Sequence, residues 1–92
     1  MAEQEFLQMA LDQLMYTMKD SRPTDPVLEL TTAYSIGDLH LRLASPTDAV
    51  KWFAQASQLP EFKKQPEIQR LLRERWLEAR DIVRARAAAR TS

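Results

Sequence analysis

The chain has 92 residues, with 13 basic and 13 acidic side chains, one histidine and no cysteine. That length suits one small domain around a single core. A net charge of zero supplies no overall field toward nucleic acid or an anionic membrane, and the absence of thiols excludes disulfides and Cys-based zinc sites. His40 alone cannot build a metal centre.

The single glycine and the abundance of leucine, alanine, glutamine, glutamate and arginine favour helix wherever proline does not intervene, so the fold class is all-α. Phe6, Leu7, Ala10, Leu11, Leu14 and Met18 recur at three- and four-residue steps and predict a first amphipathic helix over 2–19. The acidic residues Glu3 and Glu5 stand where a secretory signal needs lysine or arginine. No apolar run approaches the roughly 20 residues that cross a bilayer, and the expectation is a cytoplasmic protein.

After the DSRPTD loop, Asp25 is placed to cap a second helix over 26–43, with Pro26 at the first helical position, where a missing N–H costs nothing. Ser45, Pro46 and Asp48 repeat that arrangement: Ser45 is expected to cap a third helix over 46–59, with Asp48 as a carboxylate form of the capping box. The segment Glu61 to Gln65 then connects to a fourth helix over 66–88 that is expected to fray after Ala85. Helix two carries apolar residues on two sides and so belongs between neighbours. The short link after it predicts an antiparallel hairpin, with Gly37, Ala49 and Ala56 permitting close approach and Phe53 filling the space.

On helix four, Ile68, Leu71, Leu72, Trp76, Ala79, Ile82 and Val83 form the apolar stripe, and Trp76 is expected to pack toward Trp52 and Phe62. Arg75 projects near the middle of that stripe, so its guanidinium must snorkel, stack on an aromatic ring or meet a carboxylate from elsewhere or from a second chain. The tail RARAAAR is the one hint of nucleic-acid affinity, but it has no interleaved aromatic residues.

The stretch AYSIGDLH followed by AVKWFAQASQLP resembles a tetratricopeptide helical hairpin. Ala33, Ile36, Gly37 and His40 lie at the spacing of its first helix, and Ala49, Phe53, Ala56 and Pro60 at that of its second. Ala33 stands where tryptophan is typical, Ile36 for leucine and His40 for tyrosine. The resemblance covers one repeat, about Leu30 to Lys63, and implies a four-helix antiparallel array in which the first and fourth helices stand in for halves of flanking repeats. A narrower run, Trp52 to Arg80, looks like the helical C-terminal half of an uncharacterised bacterial family that carries a cysteine-rich, zinc-ribbon-like segment ahead of it. The cysteine-rich part is absent from this sequence.

The tetratricopeptide resemblance implies a partner-binding groove lined by Thr31, Tyr34, Asp38, Leu41 and Arg42. Members that clamp a terminal carboxylate carry lysine and asparagine at the positions of Tyr34 and Asp38, so such a clamp is not expected. An amphipathic helix, or a segment with a basic residue, is the expected ligand, unless helix one lies on Tyr34 and Leu41 and fills the groove. His40 falls at a packing position with no serine or carboxylate paired to it, so no catalytic residue, cofactor or enzymatic activity is expected. The reading is a non-enzymatic protein–protein interaction module. A structural homodimer with Met9, Met15 and Leu77 at its seam is the alternative, and weak nucleic-acid binding through the arginine-rich fourth helix is a second.

Overall fold

The computed structural model describes residues 2–91. Four α-helices follow in order: α1 (Ala2–Asp20), α2 (Pro26–Arg42), α3 (Pro46–Ser57) and α4 (Pro66–Thr91), with a 3₁₀ turn over Pro60–Lys64 before the last. No strand occurs among the described residues, and the fold is all-α as expected.

Proline opens α2, α3 and α4, each at a position where the absent N–H removes no helical bond. Asp25 caps α2 as its type predicts, its carboxylate accepting from the Val27 amide at 2.9 Å and the Leu28 amide at 3.5 Å. An ion pair from Arg22 to Glu29 ties the preceding loop to the same helix. The 3₁₀ turn replaces the expected plain connector and shortens α3, which stops at Ser57 rather than 59. It is fastened to α4 by Gln69 Nε2, which donates to the Phe62 carbonyl at 2.7 Å.

The expected Ser45 cap does not form, because the turn is built from the other side. Ala44 takes a positive φ of 61°. The Ala44 N–H donates to the Leu41 carbonyl at 3.1 Å, and the Ser45 N–H donates to the His40 carbonyl at 2.8 Å. These two bonds make a C-terminal closure of α2 of the Schellman kind. They also consume the amide that a capping box would offer to Asp48, and the Ser45 hydroxyl caps nothing; only its carbonyl serves α3, accepting from the Ala49 amide at 3.0 Å. α4 in turn runs on to Thr91 without the expected fraying after Ala85, sustained by alanine and arginine, two of the better helix formers.

The α2–α3 hairpin makes the most extensive helix contact in the molecule. α1 lies chiefly on α2, and α4 lies on α3 with a smaller contact to α2. At the centre Phe53 is fully buried, as are Leu30, Ile36, Ala49 and Ala56, with Leu72 and Ala79 closing the α4 side and Leu11 and Met18 the α1 side. The Phe53 ring rests on Gly37 so closely that a Cβ there would stand 2.5 Å from its Cε1. The expected roles of Gly37 and Phe53 are therefore met by direct contact.

Three packing expectations fail. Leu71, assigned to the α4 stripe, is 40% exposed, because it lies about 80° around the helix from the buried Ala79. Phe6, assigned to the α1 stripe, is 71% exposed, because α1 has a neighbour on one side only and Leu7, Leu11, Leu14 and Met18 suffice to cover it. Trp52 does not join Trp76: it borders a cleft with Met15 and Met18 of α1, whereas Trp76 shares a cleft with Phe62 and Ser57. Trp52 and Ser57 are five positions apart, about 140° around the helix, so they face different neighbours.

Candidate interaction site

Thr31, Tyr34, Asp38, Leu41 and Arg42 recur at helical spacing and fall on one side of α2. Four of the five are half-buried and Arg42 is exposed. The Thr31 hydroxyl is spent on its own helix, donating to the Val27 carbonyl at 3.0 Å, and Leu41 packs its side chain against the edge of the core. Tyr34 leans on Phe53, with ring centroids 6.0 Å apart and planes tilted by 34°. This is an aromatic pair within the favourable range of separation.

Asp38 is the hub of the face. Arg42, one turn later, donates from Nε to its Oδ2 at 3.0 Å, in the acid-before-base order that suits a helix. From α4, Arg75 brings its Nε to 3.2 Å from Asp38 Oδ1 and donates from Nη1 to Glu78 Oε2 at 3.1 Å. Of the outcomes open to Arg75, the one realised is a carboxylate from elsewhere in the chain, that of Asp38. Its Oδ1 is shut away from solvent, accepts no well-aligned hydrogen bond, and is held by the nearby charge of Arg75 alone.

The electrostatics follow from this packing. Burial, with the Asp38 charge behind it, raises the Tyr34 phenol above its ordinary value, and Arg75 offsets part of that rise. Arg75 is held more firmly in its charged form, first by Asp38 and then by its bond to Glu78. Asp38 is engaged by Arg75 of α4, and Tyr34 by Phe53 of α3. α1 instead borders the other side of α2, where Glu5, Gln8 and Leu11 face His40 and Leu43 across an open cleft. Half-burial pushes the His40 imidazole below its usual value, against the opposing pull of Asp48.

The three candidate seam residues do not come together. Met9 is 70% exposed, Met15 turns about 120° away around α1 toward the Trp52 cleft, and Leu77 is 44% exposed beside Trp76 and Phe62. The exposed aromatic side chains of α1, Phe6 and Tyr16, were not foreseen. The only signal available for them was that a helix with one neighbour keeps a narrow apolar stripe. Among the described residues no three histidine, cysteine, aspartate or glutamate side chains gather as a metal site, and no helix is long and apolar enough to cross a membrane.

The sequence profile of a family described as "uncharacterized protein conserved in bacteria", DUF2225, matches residues 1–79, reaching well upstream of the Trp52 to Arg80 run. No curated protein and no solved structure matches the chain. The family match takes in α1, α2, α3, the 3₁₀ turn and the first half of α4, Asp38 and Arg75 included. The chain belongs to this family of proteins conserved in bacteria.

Proposed function

We propose that the chain is a non-enzymatic protein–protein interaction module that binds a partner helix or extended peptide on the face of α2 centred on Tyr34, Asp38, Leu41 and Arg42, with Arg75 of α4 as an added member. In this reading α2 and α3 form one tetratricopeptide-like unit, and α1 and α4 occupy the places of flanking half-repeats. What supports that arrangement is the burial of Ala33, Gly37, Ala49, Phe53 and Ala56 in and around one hairpin contact, with α1 and α4 added on either side.

The observation that carries the functional reading is the fixed pair of guanidinium groups. Asp38 holds Arg42 and Arg75 at 3.0 and 3.2 Å, beside the apolar edges of Tyr34 and Leu41. Guanidinium has five N–H donors, so each retains unused donors whose position is set before a partner arrives. With its charge already matched twice, Asp38 is no longer a free carboxylate for a basic ligand. The fitting partner is an amphipathic segment that brings hydrogen-bond acceptors to Arg42 and Arg75 and apolar side chains to Tyr34 and Leu41. Catalysis has no comparable support, since His40 lies on another side of α2 and faces α1.

A photo-crosslinking amino acid at Thr31 tests this reading in a bacterial lysate. A discrete adduct is expected that is lost on Arg42→Glu substitution and absent when the same probe sits at the exposed Lys51 of α3. Equal adducts from both positions, or none from Thr31, would count against it.

A further inference from the structure

Two faces remain that the α2 site does not use, one at each side of the hairpin. On α1, Phe6, Met9 and Tyr16 are 71%, 70% and 63% exposed and fall within about 80° of one another around the helix. Glu5 and Asp12 lie beside that strip, and α1 as a whole carries four acidic residues against one lysine. On α4, Leu77 and the half-buried Trp76 and Phe62 line a cleft of about 450 Å³ whose floor is the buried Leu72. Arg73 and Arg80 stand at its edge. Among the described residues Arg73 makes no ion pair, and Arg80 meets only its exposed neighbour Asp81, at 3.3 Å. α4 as a whole carries seven arginines against four acids.

We propose that the occupant of the α4 cleft is α1 of a second copy of this chain, so that copies join head to tail. The apolar strip supplies side chains for a cleft walled by aromatic and aliphatic groups, and the flanking signs match: Glu5 and Asp12 on one copy against Arg73 and Arg80 on the next. A two-fold dimer through either face alone would set acid against acid or arginine against arginine, which costs energy where head-to-tail pairing gains it. α1 sits on α2 and α4 on α3, so the hairpin separates the two faces, and a copy that uses one leaves the other open. The contact is therefore heterologous and propagates. It lies apart from the Tyr34–Asp38–Arg75 site and stands or falls independently of it.

Light scattering on the full chain, across a hundredfold range of concentration, tests the proposal. The weight-average mass should climb continuously above the monomer without a plateau at the dimer, and raising the salt from about 0.05 to about 0.5 M should weaken association by about tenfold or more. Phe6→Glu and Leu77→Glu, both at exposed positions, should each give a folded monomer, with unchanged helical circular dichroism. Mixed in equal amounts they should yield a one-to-one heterodimer, since each retains the face the other lacks. A charge exchange, Glu5→Arg in one copy with Arg73→Glu in the other, repeats the test with the apolar contacts intact and should restore pairing that either change alone weakens. A closed two-fold dimer that mixing does not rebuild would overturn the proposal. So would a monomer at all concentrations up to about 1 mM, the level below which even weak specific contacts register; the cleft would then fall to an acidic helix from another protein.

Discussion

Phe53 and Phe6 are the same side chain in two opposite settings, and the contrast between them is that between the hairpin and the outer helices. Phe53 is enclosed on all sides, pressed on Gly37 and flanked by Ala49 and Ala56, small residues that let α2 and α3 approach. Phe6 stands in water on a helix covered along one side. A chain this short cannot surround four helices, so its burial is concentrated where two of them meet. Most of the remaining exposed apolar side chains are on α1 and α4, with Val27 and Leu28 at the start of α2. The hairpin thus carries most of the burial, and the outer helices keep long apolar side chains such as Phe6, Met9 and Leu77 in water.

The strongest way to break this contrast is to truncate both rings. Phe53→Ala should cost about 3 to 5 kcal/mol in urea unfolding, whereas Phe6→Ser should change stability by less than about 0.5 kcal/mol; similar losses at both positions would erase the distinction. Gly37→Ala comes next. The added methyl would press on a ring with no room to retreat, and overpacking of this kind costs about 1 to 3 kcal/mol. The loss should shrink when Phe53→Leu is combined with it, a coupling that a double-mutant cycle measures.

A gain rather than a loss is expected at Ala44. Its left-handed backbone, φ 61°, is one that glycine adopts freely, and Ala44→Gly should raise stability by about 0.5 to 1 kcal/mol. His40 gives the smallest effect. Burial holds its folded pKa below the ordinary 6.5, so the unfolded chain takes up the proton more readily. Its contribution is complete above pH 6.5 and is lost as the pH falls through the folded value. Replacing it with glutamine should flatten the stability profile in that window.

Much of this plan can be read from local chemistry. Prolines at 26, 46 and 66 announce three helix starts, and Gly37 with Ala49, Phe53 and Ala56 announces a close hairpin. Arg75, charged in an apolar stripe, announces that it needs a partner. Which partner it has is a matter of how α4 crosses α2, and nothing in the spacing of Asp38 and Arg75, 37 positions apart, encodes that crossing. The exposure of Phe6 and Tyr16 was hidden for a related reason: periodicity locates an apolar side of a helix but not the number of neighbours that cover it. The turn at Ala44 was missed because its cap carries alanine where glycine would have marked it.

The one-sided seating of α1 has a consequence on the time axis. Its hold on the rest of the molecule comes mainly from Leu11 and Met18 and the half-buried side chains between them, while the hairpin keeps its own contacts whether or not α1 is in place. Amide protons of α1 should therefore trade with deuterium through a partial opening cheaper than global unfolding, and those near Leu30, Ile36 and Phe53 only when the entire chain comes apart. A protein of four helices would then melt as two cooperative units, with the break at the loop between Asp20 and Pro26.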